Sequence, residues 1–74
     1  MNAAAFNARF SIGDKVIHDP APLLGEAAEM CEILEAAFDR DDGDPDFPIV
    51  LWSGVMLRRQ TGETILAQLD HLQL

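Results

Sequence analysis

Glu26-Ala-Ala-Glu29-Met-Cys-Glu32-Ile-Leu-Glu35-Ala-Ala-Phe-Asp39 is the stretch on which the architecture turns. At about 100° per residue, Ala27, Met30, Cys31, Ile33, Leu34, Ala37 and Phe38 fall within one arc of roughly 160°, the width of a core-facing helix. Glu29, Glu32, Glu35 and Asp39 occupy the opposite side with Ala28 and Ala36. As a strand, the same residues would set Glu32 on the face of Met30, Leu34 and Phe38, a poor alternation. Ala, Glu, Leu and Met are also strong helix formers. The pattern predicts an amphipathic helix over residues 23–38 with its acids in water.

Outward from this helix, the chain is punctuated by turn formers. Asp39-Arg-Asp-Asp-Gly-Asp-Pro-Asp46 has no apolar anchor and must end it. Phe47-Pro-Ile-Val-Leu-Trp52 reads as a strand, Ser53-Gly54 as a tight turn and Val55–Arg59 as its antiparallel partner. Upstream, Phe10, Ile12, Val16 and Ile17 around Gly13-Asp14 predict a strand or hairpin arm. Asp19-Pro20 stops it and can open the helix. Beyond Thr61-Gly62, the spacing of Ile65, Leu66, Leu69 and Leu72 favours a short helix over a third strand for residues 63–72. Residues 1–8 read as a flexible arm unless Phe6 docks, and 9–74 as a single compact domain. The expected class is α+β, in the order β-α-β-β-α, with one amphipathic acidic helix packed on a short antiparallel sheet.

An alternative architecture comes from Phe10-x-Ile-Gly-Asp-Lys-Val-x-His18, together with Ile65-Leu-Ala67 and the leucines near the carboxyl end. These residues resemble the small SH3- or Tudor-like β-barrels found at the tails of some DNA helicases, over about a third of the chain. The family's central Gly-x-Gly-x-Val strand is absent, and Gly25-Glu-Ala-Ala-Glu29 stands in its place. The resemblance implies a barrel in place of a helix on a sheet.

Charge is distributed unevenly. The chain has 74 residues, 13 acids and five Lys or Arg, a net −8. Residues 26–46 hold nine acids against Arg40, so 9 − 1 accounts for all of it, while the remaining four acids and four bases cancel. Such a surface attracts cations and basic proteins and repels nucleic acid and anionic membranes. No stretch approaches the roughly 18 apolar residues of a membrane span, and the amino end lacks a signal-peptide pattern. Cys31 is the only cysteine. Flanked by Met30, Ile33 and Leu34, it reads as a small buried hydrophobe in a reducing cytoplasm.

Chemistry-bearing motifs are missing. Setting Gly43 at position 6 of a calcium loop puts Phe38 first, Arg40 third and Ile49 twelfth, so the EF-hand pattern fails. His18 and His71 accompany no nucleophile and form no helical metal pair. Glu32 and Glu35 fall on the wet face, where general acid–base work would lack a raised pKa. No phosphate loop, dinucleotide fingerprint or nucleophile elbow occurs. These readings predict no enzyme, no metal and no cofactor.

The expected function is therefore binding. Glu29, Glu32, Glu35, Asp39, Asp41, Asp42, Asp44 and Asp46 form a carboxylate track suited to a basic protein surface, with no direct contact to nucleic acid. Carboxylates on a rigid element can stand in for phosphates, so the partner class includes nucleic-acid-binding proteins blocked by a phage anti-defence type of inhibitor. The alternative is a small structural or assembly subunit acting through an apolar dimer or docking interface, since so small a core gains from association. Trp52, Arg58 and Arg59 are the candidate residues of a homodimer contact.

Overall fold

A computed structural model describes residues 1–20, 28–41 and 51–74. The described chain runs through helix α1 (Ala3–Arg9) and strands β1 (Lys15–His18), β2 (Glu29–Ile33), β3 (Phe38–Asp41), β4 (Leu51–Arg58) and β5 (Thr64–Gln68). A 3₁₀ turn (Leu69–His71) then leads into β6 (Leu72–Gln73). The α+β expectation is thereby overturned. All the strands belong to one antiparallel sheet that curls into a half-barrel, in keeping with the small-barrel alternative.

β4 is the hub. Its Gly54 is opposite both Phe38 of β3 and Gln68 of β5, and its Arg58 opposite both Glu32 of β2 and Thr64 of β5. β5 thus takes one edge, and β2 and β3 follow one another along the other. β1 lies on the far side of β2, and β6 on the far side of β1. The 3₁₀ turn carries the chain from β5 to this last position, where the Asp19 amide donates to the His71 carbonyl at 2.8 Å.

Period-two alternation explains the core. Val16 is opposite Cys31, Ile33 opposite Leu57 and Val55 opposite Ala67, and all of these face inward. Val55 and Leu57 are fully buried at 0% exposure. Leu69 from the 3₁₀ turn and Phe6 from α1, the latter 1% exposed, complete the filling. The amino-terminal segment is helical because Asn2 caps it, its side chain accepting from the Ala5 amide at 2.9 Å, and because Arg9 suits its carboxyl end. Phe6 does dock, and its ring lies 4.8 Å from that of Phe10.

The predicted helix over 23–38 does not form across residues 28–38; residues 23–27 lie outside the described set. Glu29–Ile33 is a strand paired on both edges, and the chain bends through Leu34–Ala37 before resuming as β3. The poor alternation seen in the sequence persists on the outer face, where Glu32 shares a side with Met30 and Phe38 and is matched by Lys15 and Arg58. Cys31 and Ile33 turn inward, Met30 and Glu32 outward, and Ala37 beyond the bend is again buried. Helix propensities differ by only a few tenths of a kcal/mol among these residues. Burying a large aliphatic side chain is worth about 1.5–3 kcal/mol, so pairing on two edges outweighs local preference.

Two other elements differ from expectation. Ser53-Gly54 is no turn but the middle of β4, and the reversal falls at residues 59–63 instead, where Gly62 adopts φ +91°. Gly54 is needed because a Cβ there would sit 2.5 Å from the Trp52 ring. Residues 63–72 hold β5 and the 3₁₀ turn in place of the short helix, since Ala67 and Leu69 are the buried members and Leu66 points out.

Asn7 holds the bend. Its Nδ2 donates to the Ala37 carbonyl at 2.9 Å, and its Oδ1 accepts from the Ala37 amide at 2.8 Å. Asn7→Ala removes both partners of a buried backbone unit and should cost about 1–3 kcal/mol. Leu57→Ala should cost about 2–5 kcal/mol. Urea unfolding of the two variants against the parent measures both.

Candidate functional site

The sheet separates the predicted acids. Residues three apart on a strand face opposite ways, so Glu29 and Glu32 diverge. Glu29 is opposite His18 at the rim of the inner face, while Glu32 is in an outer-face row that runs Lys15, Glu32, Arg58, Thr64 across four strands. Glu29 accepts from Arg59 Nε at 2.8 Å and from the Gln60 amide at 3.0 Å. The Arg59 guanidinium, then the amide bond, hold its carboxyl below the usual range. Glu32 contacts Lys15 Nζ at 3.2 Å and Arg58 Nη1 at 3.9 Å.

Asp39 has an internal task too. It accepts from Ser53 Oγ and from the Ala3 amide at the start of α1, and these bonds lower its pKa in that order. Glu35 is exposed in the bend. The backbone of Asp41 ends β3 opposite Leu51. Asp42, Asp44 and Asp46 lie outside the described residues. Three predicted track residues are therefore taken up by the fold, and they do not share a face.

Of the three dimer candidates, Arg59 sits between Glu29 and Glu63, with Nη1 2.9 Å from Glu63. Arg58 and Trp52 are both on the outer face of the sheet. Trp52 lies over Gly54, its ring edge-on to Phe38 at 5.8 Å, with the Arg40 guanidinium 5.8 Å from its centroid. Met56 and Leu66 are cross-strand neighbours on that same face. Leu66 is 45% exposed and Met30, further along, 50%.

Sequence reasoning missed Lys15 and Arg40 as members of this surface. The signal that finds them is register. Lys15 is opposite Glu32 and Arg40 opposite Trp52, which no periodicity within one segment discloses.

A polar cluster closes the opposite side. The rings of His18 and His71 are 6.4 Å apart, with Glu29, Arg59 and Asp19 around His18. Burial, and then the neighbouring His71, push the His18 pKa down. Buried Cys31 has its thiol pushed up by burial, which makes it a poor nucleophile. Among the described residues no group of three or more His, Cys, Asp or Glu is placed to hold a metal. No helix there is long and apolar enough to cross a membrane.

No family model, curated protein or solved structure matches the chain.

Two outcomes follow from this geometry. Gly54→Ala forces the Trp52 ring off the sheet, which should cost about 1–3 kcal/mol and shift Trp52 fluorescence toward the red. His18 has a folded pKa below its unfolded value. Its stabilising contribution is full above about pH 6.5 and is lost as pH falls from there toward the folded value. His18→Gln should flatten the stability slope below neutrality. The further fall at carboxylate pH, set by Glu29 and Asp39 with their lowered pKa values, should remain. Thermal unfolding across pH 4–8 reads both segments.

Proposed function

We propose that the chain is a non-enzymatic acidic binding protein that presents carboxylates to a basic surface of a protein partner. The observation that carries this is the placing of all the net charge in residues 26–46. The internal contacts of Glu29, Glu32 and Asp39 narrow the presenting surface to Glu35, Asp41, Asp42, Asp44 and Asp46, five acids beside Arg40. These carboxylates stand in for phosphates, and the partner is a nucleic-acid-binding protein whose groove they occupy, as an inhibitor of the phage anti-defence type does. The chain works in a reducing cytoplasm and performs no chemistry. Its buried thiol and the engagement of Glu29, Arg59 and Asp39 in structural bonds support that reading.

A second reading, a small assembly subunit docked through apolar surface, is favoured by Trp52, Met30 and Leu66 on the outer face. Ionic strength separates the two, because an acidic surface on a basic groove weakens with salt and an apolar contact does not.

Neutralising Asp41, Asp42 and Asp44 to Asn should leave the fold intact and slow association with a captured basic partner by about tenfold or more at low salt. Duplex DNA should compete for the partner's site. Surface-binding kinetics of the triple variant and a Glu29→Gln control decide the matter. Equal association rates for parent and triple variant would falsify the carboxylate reading.

A further inference from the structure

The seam between β1 and β6 is the thinnest part of the sheet. Its register spans two residue pairs, Ile17 with Gln73 and His18 with Leu72. Two further bonds close it. The Asp19 amide donates to the His71 carbonyl at 2.8 Å, and Gln73 Nε2 donates to Asp19 Oδ2 at 2.9 Å. The other carboxylate oxygen, Asp19 Oδ1, is buried with no hydrogen-bond partner among the described residues. An unsatisfied buried acceptor weakens the closed seam, because opening returns it to water. Leu69, buried in the core, anchors the chain just before the seam. A short edge strand of this kind belongs to the low end of local stability.

Both histidines of the chain meet here. Their rings are 6.4 Å apart, one carried by β1 and the other by the 3₁₀ turn that feeds β6. Among the described residues, the other charged groups around His18 are Glu29 from β2, Arg59 from the chain after β4, and Asp19 at the end of its own strand. Glu29 is held by Arg59 and the Gln60 amide, and Asp19 by Gln73. Arg59 also binds Glu63, and Asp70 beside His71 is exposed. Each nearby acid thus carries a partner of its own, and His18 is left facing His71. We infer that the two histidines form a proton-operated latch: while they are neutral β6 lies on β1, and when both are protonated their repulsion lifts residues 71–74 off β1, with Leu69 as the hinge.

The sign follows from the surroundings. Burial and then His71 hold His18 below its ordinary pKa, so the open seam binds protons more tightly than the closed one. The seam is therefore closed above about pH 6.5, the ordinary imidazole value, and loosens as pH falls from there. At 6.4 Å, two unit charges screened as in bulk water still shift an equilibrium by about threefold, and a drier setting raises that figure. Opening unpairs the β1 edge at Ile17 and His18 while β1 keeps its pairing with β2 on the other side.

Amide hydrogen exchange of the full chain, followed by NMR between about pH 7.5 and about pH 5, brackets the imidazole titration and tests the latch. Protection is corrected for the intrinsic pH dependence of exchange. The reporter is the Asp19 amide, bonded across the seam. The references are the Ile33 and Leu34 amides, bonded to the Asp14 and Met56 carbonyls away from it. Toward acid, Asp19 should lose about threefold of its protection or more, while Ile33 and Leu34 keep theirs. His18→Gln should abolish that loss, and His71→Gln, which removes the second charge, should reduce it. Circular dichroism confirms that each variant is folded. If one is not, the other variant and the parent's own contrast between Asp19 and the references decide the matter. Unchanged protection at Asp19 in the parent overturns the latch. So does a loss that Ile33 and Leu34 share, which marks global unfolding, or one that persists in full in either variant, which assigns the titration to another group.

Discussion

The bend at Leu34–Ala37 is the constraint on which the structure rests. The alternation keeps its phase across the bend, with Cys31, Ile33 and Ala37 buried and Met30, Glu32, Phe38 and Arg40 on the outer face, while the register against β4 shifts by two residues, from Ile33 opposite Leu57 to Phe38 opposite Gly54. The irregular segment lets one stretch of chain serve as two strands against the same edge of β4, with the Leu34 amide still donating to the Met56 carbonyl at 3.0 Å. Such an interruption is stable only if its backbone groups are satisfied. Asn7 satisfies Ala37 from across the molecule, and Asp39 ties the start of α1 to the far side of the bend. The short helix is therefore the brace of the sheet as well as part of its core.

This arrangement also explains why the acidic stretch does not present one face. The helix wheel gathers Glu29, Glu32 and Glu35 on a common side, whereas a strand sends neighbours three apart in opposite directions. Once Glu29 is at the inner rim and Glu32 on the outer face, each meets a different base brought by a different strand. These pairs are partly exposed, and exposed ion pairs contribute little to stability. Their larger consequence is electrostatic: local cations offset the charge of Glu29 and Glu32.

The two faces of the half-barrel divide its chemistry. The inner face holds the apolar filling and, at the β1–β6 seam, the two histidines with Glu29 and Arg59. The outer face carries the Lys15-Glu32-Arg58-Thr64 row and the aromatic group around Trp52. Gly54 links the faces, since only a residue without a Cβ lets the Trp52 ring lie flat on β4 while Val55 beside it enters the core.

The sequence was enough to read the charge distribution, a strand or hairpin arm within Phe10 to His18, the buried character of Cys31 and the barrel-like signature around Gly13-Asp14. Each of these depends on residues within a few positions of one another. It also held the ingredients of β4, but Ser53-Gly54 resembled a turn because the ring that needs the glycine is visible only once Trp52 is laid over it. That residues 29–41 run as a bent strand emerges from pairing between distant segments. Their side chains satisfy a helical period nearly as well, and local propensity differs too little to choose. The choice was made by β1 and β4 pairing with both edges of β2, and by Asn7, some thirty residues away, closing the hydrogen bonds of the bend.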